Sequence, residues 1–275
     1  MSTAALTPAV NTRSAAVALV ASARLWFGVA VIGQALFLTY ILAFYVPSTL
    51  SGNFAAWAKN TNLITGYVPG DTAGNLAFGA HVLMAAVITF GGTVQLVPQI
   101  RARAPQVHRW IGRAFMTTAI AASVLGLWLV WVRGTGEGLP ALGITLDALL
   151  ILTFAGLAWR AAVTRDFAAH RRWAMRTFIV ANGVWFLRLG MVVYGLARSA
   201  TGDALPRMGA FFEVWNFGAY LVPLAILELY FLAQARGGSA GRFAMAGGLI
   251  LASALMAVGI AGSWVGMFGR VLSAL

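Results

Sequence analysis

The chain has 275 residues, of which 60% are hydrophobic and 9% are charged, and this composition excludes a water-soluble globule, whose charged fraction is about a quarter. The formal net charge of +12 would favour nucleic acid only in a soluble protein, so no nucleic-acid partner is expected. The absence of cysteine excludes disulfides, thiolate nucleophiles and Cys-ligated metal centres. The apolar residues occur in continuous runs of about twenty, and such runs predict an all-α, polytopic membrane bundle.

Seven spans are expected in chain order, with spans two to five as a four-helix core. Residues 1–23 are rich in Ala, Ser and Thr and predict a flexible cytoplasmic tail, whereas residues 24–270 predict one transmembrane helical domain. Each span is long enough, at about 1.5 Å per residue, to cross the hydrocarbon core of a bilayer. The expected bounds are 25–46, 76–97, 110–132, 139–159, 173–197, 211–233 and 243–268.

Basic residues are distributed unequally between alternate loops. Thirteen arginines lie on the side of the amino terminus, and five basic residues lie on the opposite side. The positive-inside rule therefore predicts a cytoplasmic amino terminus, an external carboxyl terminus and a place in a bacterial inner membrane. Besides the lipid bilayer itself, anionic headgroups are the expected partners of the cytoplasmic arginines. The long external segment, residues 47–75, is interpreted as a connecting loop, with a lid as the alternative.

Two histidines stand in matching arginine-rich motifs at the cytoplasmic ends of spans three and five. His108 precedes Arg-Trp, and His170 precedes Arg-Arg-Trp. Two imidazoles at one depth on two helices can ligate a haem iron or another metal if the helices face each other. The alternative is a pair of interface histidines bonded to backbone carbonyls. The arginines that would bind haem propionates or lipid phosphate are Arg109, Arg113, Arg171, Arg172 and Arg176. Glu228 is the expected ion-pair partner of these arginines.

A second set of polar residues is expected nearer the outer side of the bundle. It comprises His81 in span two, Asp147 in span four, Arg188 in span five, and Glu213 and Asn216 in span six. Gln95 lies on the same face of span two as His81, on a polar stripe that runs from this set towards the inner loop. A charge inside the bilayer costs about 3 kcal/mol, so Arg188 is expected to pair with Asp147 or Glu213. The set could line an outward-facing pocket for a small anionic or lipidic ligand, or serve only as ties between helices.

Several of these motifs carry a family resemblance. Residues 80–84 read Ala-His-Val-Leu-Met, residues 108–113 read His-Arg-Trp-Ile-Gly-Arg, and residues 169–176 read Ala-His-Arg-Arg-Trp-Ala-Met-Arg, followed by the mid-span Arg188. The chain thereby resembles, over about residues 75–200, the bacterial predicted membrane protein family that contains the domain of unknown function 2306. This resemblance implies a helical membrane fold and brings no activity with it.

The histidine layout is also similar to that of four-helix membrane b-type cytochromes, over spans two to five. In that group the haem ligands pair between spans two and four and between spans three and five. The similarity implies haem b between His108 and His170. It implies no second haem, because span four offers Asp147 where a partner for His81 would be needed.

Three functions remain open at this point. The leading hypothesis is an electron-transfer protein that holds haem b or a metal between His108 and His170. The second is a non-redox carrier or sensor with the outward-facing pocket, and the third is a structural or accessory membrane subunit. The sequence lacks a P-loop, a GxSxG elbow, an HExxH motif and a dinucleotide fingerprint, so no stand-alone enzyme is expected. Any catalytic activity would be that of a membrane oxidoreductase.

Overall fold

The computed structural model describes residues 7–59 and 66–269, and every regular element among them is helical. Residues 1–6 of the expected tail, residues 60–65 of the external segment and the carboxyl terminus lie outside the described residues. The α-helices are α1 (Thr7–Tyr40), α2 (Val46–Leu50), α3 (Thr72–Gln95), α4 (Pro98–Arg103), α5 (Pro105–Trp131), α6 (Gly138–Val163), α7 (Phe167–Ala181), α8 (Gly183–Thr201), α9 (Met208–Arg236) and α10 (Ser239–Ser263). Short π-helices cover Ile41–Tyr45 and Trp264–Phe268, and short 3₁₀-helices cover Phe54–Lys59 and Gly202–Ala204.

Six helices are long and apolar enough to cross a membrane, and α7 with α8 supplies a seventh span if this bent pair counts as one. The predicted helical membrane bundle is therefore confirmed. The fifth span is not the single helix that the sequence predicts, because α7 and α8 meet at an angle of 51°. Asn182 separates the two helices, and its side-chain amide donates to the Phe178 carbonyl over 2.7 Å. Asn and Gly are poor helix formers, so Asn182 and Gly183 give this break a local cause.

The first helix begins earlier than the sequence predicts. From Thr7 onwards, α1 runs through described residues that were expected to form a flexible tail. Alanine-rich sequence favours helix, and tertiary packing adds to this preference. Leu19 of α1 is 3% exposed and belongs to the same apolar cluster as Ala233 of α9 and Leu249 of α10. This part of the chain is therefore helical and joined to the bundle.

Six helices form a closed ring. Going round it, α1 contacts α3, α3 contacts α5, α5 contacts α6, α6 contacts α9, α9 contacts α10, and α10 returns to α1. The broken fifth span contacts helices on several sides of this ring. Phe178 of α7 lies 2.8 Å from the position of a Cβ added at Gly92 of α3, and Trp185 of α8 lies 2.6 Å from one added at Gly33 of α1. These glycines allow the helices to approach closely.

An arginine fixes the segment of residues 47–75 to the bundle. Arg133 follows α5, and its side chain is only 4% exposed. Its guanidinium donates to the Asp71 carboxylate at 2.8 Å, the Asn75 amide oxygen at 2.7 Å and the Gly66 carbonyl at 2.9 Å. In the same segment, Trp57 is fully buried. The described part of this segment is therefore ordered by specific contacts at the start of α3 and the end of α5.

The ion pair between Asp71 and Arg133 is expected to make a contribution to stability that is lost at acid pH. The Gly74 backbone N–H and the Arg133 guanidinium hold the pKa of Asp71 below its usual value. The ionised carboxylate therefore stabilises the fold at neutral pH, and this contribution is lost as the pH falls below the ordinary Asp pKa of about 4 and through the lowered folded value. Asp71→Asn should lower Tm at neutral pH and reduce the further decline towards acid pH. The exposed Glu137 supplies the control Glu137→Gln, and equal acid profiles for wild type and Asp71→Asn would contradict the prediction.

Candidate functional site

The inner histidines lie in the first turns of α5 and α7. Pro105 opens α5, and Asp166 caps α7 by accepting a hydrogen bond from the Ala169 N–H at 3.0 Å. These two helix starts place His108 and His170 at the same end of the bundle, with both side chains partly buried. Both helices pack against α6. The matching sequence motifs thus correspond to matching positions in the fold.

The two imidazoles differ in their contacts. Nδ1 of His170 lies 2.9 Å from the Ala158 carbonyl of α6. A carbonyl only accepts, so Nδ1 carries the proton of this bond, and the neutral imidazole then has its lone pair on Nε2. Nδ1 of His108 is buried and has no hydrogen-bond partner among the described residues. The backbone carbonyl of His108 accepts a 2.8 Å hydrogen bond from Gln95, which therefore lies at this inner site.

One of the five inner arginines already has a carboxylate partner. Arg176 forms a two-pronged ion pair with Glu228 of α9 at 2.6 and 2.8 Å, which confirms the expected role of Glu228. The Arg176 guanidinium also lies over the Trp173 ring, 4.5 Å from its centroid. The remaining four side chains are exposed at the same end of the bundle, where their guanidinium groups are available to bind anionic groups. They are Arg109, Arg113, Arg171 and Arg172.

The outer set does not form the expected ion pair. His81 of α3 hydrogen-bonds the Ala122 carbonyl of α5, whereas Glu213 is exposed on α9. Arg188 donates to the Val184 carbonyl of its own helix at 3.0 Å and lies 5.3 Å from the centroid of the Phe37 ring. No ion pair joins Arg188 to Asp147 or Glu213 in the described part of the chain, so that prediction is wrong. The Phe37 ring instead offers the Arg188 guanidinium a cation–π contact.

The structure places different neighbours around Asp147. Its Oδ2 atom lies 2.8 Å from the position of a Cβ added at Gly183, the first residue of α8. Tyr220 of α9 packs against the same glycine, and its hydroxyl donates to the Gly143 carbonyl at 3.1 Å. Asn216, also on α9, packs against Gly143. Asp147 and Asn216 of the predicted outer set are therefore near one another, at the break in span five.

Sequence reasoning missed two amides at this break. Gln34 of α1 donates from its side-chain nitrogen to the Asn182 side-chain oxygen at 2.8 Å, and both residues are 2% exposed. A neutral amide within an apolar run is easily overlooked. The adjacent Asn182 and Gly183 in mid-span were a readable signal, because neither favours the interior of a helix.

Comparison with known proteins gives the family. The family described as "Predicted membrane protein (DUF2306)" matches residues 78–231. This match covers more than half of the 275-residue chain. The matched segment includes His81, His108, Asp147 and His170. No curated protein and no solved structure matches the chain. The chain therefore belongs to the family of predicted membrane proteins that is defined by the domain of unknown function 2306.

Proposed function

We propose that the protein holds haem b, or another transition-metal centre, between His108 and His170 and uses it for electron transfer near the cytoplasmic surface. The observation that carries the proposal is the matching placement of the two partly buried imidazoles, in the first turns of two helices that both pack against α6. No group of three or more His, Asp or Glu side chains suitable for a metal occurs in residues 7–59 and 66–269, so the proposed ligand set is this histidine pair.

The donor chemistry fits such a centre. Metal-ligating histidines typically donate their second ring N–H to a carbonyl or carboxylate, which orients the ring. The bond from His170 Nδ1 to the Ala158 carbonyl has this form and leaves Nε2 available as a ligand. On the other side, the buried Nδ1 of His108 has no protein partner in the described part of the chain. A haem with two imidazole ligands supplies one-electron transfer. The exposed Arg109 and Arg171 would hold its propionates.

The test is an optical spectrum of the detergent-purified protein after expression with added haem, recorded air-oxidised and then dithionite-reduced. We expect a Soret band and sharp reduced α and β bands. His108→Ala and His170→Ala should each abolish them. The chain has three histidines, and the third supplies the matched control: His81→Ala should retain the spectrum. A colourless wild-type protein, or full haem content in the double variant of His108 and His170, would overturn the proposal.

We also propose that the amino terminus and the inner arginines face the cytoplasm of a bacterial cell, where the arginines bind anionic headgroups. The unequal distribution of basic residues supports this orientation. Because the chain has no cysteine, a single introduced cysteine reports its own side of the membrane. We expect a membrane-impermeant maleimide to label Glu137→Cys in intact spheroplasts, and Gly238→Cys only after permeabilisation. Both sites are exposed, and the reverse labelling pattern would contradict the orientation.

A further inference from the structure

The break in span five brings polar groups into the middle of the bundle. Asn182 separates α7 from α8, and it is tied to Gln34 of α1 by the side-chain hydrogen bond described above. Asn182 also closes the end of α7 through its bond to the Phe178 carbonyl. The Oε1 atom of Gln34, however, is buried and has no hydrogen-bond partner among the described residues. One acceptor of this amide pair is therefore unsatisfied inside the membrane.

A carboxyl group with a buried oxygen that also lacks a hydrogen-bond partner among the described residues lies beside the break. Asp147 of α6 places Oδ2 against Gly183, and its Oδ1 atom is buried without a hydrogen-bond partner in the described part of the chain. Asp147 forms no ion pair there. Two buried acceptors, on spans one and four, thus lie beside adjacent residues of span five. Both need a donor or a positive charge rather than another acceptor.

The described elements packed around Asp147 form no ion pair with it. The titratable group that faces it is Tyr220 of α9, whose hydroxyl donates to the Gly143 carbonyl instead. From α8 it meets Gly183, while Arg188 of that helix is directed to Val184 and Phe37. α5 and α7, the other helices packed on α6, present no ion-pair partner to it in residues 7–59 and 66–269.

An isolated ionised carboxylate is strongly disfavoured away from water, and such a group takes up a proton or a bound cation. A proton is sufficient here, because it removes the charge and turns one carboxyl oxygen into a hydrogen-bond donor. A metal cation such as Na⁺ would need several more oxygen ligands than the two unsatisfied acceptors. Ionisable groups inside membranes mark proton relays and ion pathways, and discontinuous helices provide ion sites near the midplane.

We propose that Asp147 is an intramembrane proton-binding site, and that the break between α7 and α8 gives it access to water. The site involves neither His108 nor His170, so it is independent of the proposed haem centre. Proton exchange at Asp147 requires the local packing of Gly183 and Tyr220 to open, because Gly183 lies against the carboxyl group and Tyr220 packs on Gly183. The change in angle between α7 and α8 is the motion that would open it.

The direct test is infrared spectroscopy of the full-length protein in lipid nanodiscs, in H₂O and in D₂O. We expect wild-type protein at neutral pH to show the carbonyl stretch of a protonated carboxylic acid, with a shift on deuteration. Asp147→Asn should remove this band, whereas Asp166→Asn, at an exposed helix cap, should leave it. Absence of the band in wild type, or its persistence in Asp147→Asn, would overturn the proposal. Loss of the band on adding NaCl or KCl would assign the site to a metal cation and would also overturn it.

A second pair of variants tests the break itself. Gly183→Ala adds a methyl group 2.8 Å from Oδ2 of Asp147, so the carboxyl group must move. We expect a shifted carbonyl band and an altered rate of deuterium exchange at this carboxyl. Gly156→Ala is the matched control, because it lies on α6 with Asp147 and its added methyl meets no atom within 4 Å. Unchanged band position and exchange in Gly183→Ala would contradict a role for the break in proton access.

Discussion

Replacing Trp185 with alanine is expected to lower the free energy of unfolding by about 3–5 kcal/mol. Trp185 is 1% exposed, packs against Gly33 of α1, and has its ring centroid 4.9 Å from that of the adjacent Phe186 on the same helix. Lipid is as apolar as the side chains, so helix association in a membrane depends on van der Waals packing. A cavity in place of the indole removes that packing at the centre of the bundle. The measurement is thermal unfolding in detergent, followed by circular dichroism.

Trp110 provides the control for the loss of a tryptophan as such. It is 68% exposed on α5, with the Arg113 guanidinium 5.0 Å from its ring centroid. Trp110→Ala removes this exposed cation–π contact, which contributes about 0.5–1 kcal/mol. Its unfolding temperature should therefore change much less than that of Trp185→Ala. Similar losses in the two variants would show that packing around Trp185 does not hold the bundle together.

Gly33→Val is expected to prevent correct assembly of α1 with α8 and α10. A Cβ at this position would lie 2.5 Å from Ile260 Cδ1 and 2.6 Å from Trp185 Cζ2. The isoleucine terminus can rotate, but the buried indole has little room to move. Overpacking typically costs about 1–3 kcal/mol, and the two added methyl groups of valine bring the expected cost to the upper part of that range or above it. Fluorescence-detected size-exclusion chromatography should show a reduced monodisperse fraction.

Gly28 separates this steric effect from the helix propensity of valine. It lies on the same helix, and a Cβ added there would meet no atom within 4 Å. Both substitutions replace a helical glycine by the same β-branched residue, so their effects on helix propensity are equal. Gly28→Val should elute as wild type does. If Gly33→Val also elutes normally, the close approach of α1 to α8 is not required for assembly.

The helical membrane fold could be predicted because length and hydropathy determine a span almost by themselves. The runs that predict spans four and six coincide with α6 and α9, whose apolar composition extends over the whole helix. The break in span five could not be predicted in this way. A hydropathy window averages over about twenty residues, and one Asn182 among apolar neighbours changes that average little.

The sequence could predict how deep in the membrane each residue of the candidate site lies, but not which way its side chain faces. Counting residues along a helix gives the level of Asp147, Arg188 and Glu213 in the membrane. Each residue also turns about 100° around the helix axis, so the facing direction depends on how neighbouring helices are rotated. Asp147 faces α8, whereas Glu213 is exposed and Arg188 faces Phe37. Depth alone therefore suggested a pairing that the rotations of the helices do not allow.

The ring of helices also has a consequence for biosynthesis. It closes where α1 packs along α10, two helices separated by most of the described sequence. During membrane insertion, α1 therefore enters the bilayer long before the helix that covers its Gly33 face has been synthesised. Until then Gln34 has neither Asn182 nor a packed interior around it. The first span must be retained beside the insertion machinery, or lie with its amide among lipids, until the ring is completed.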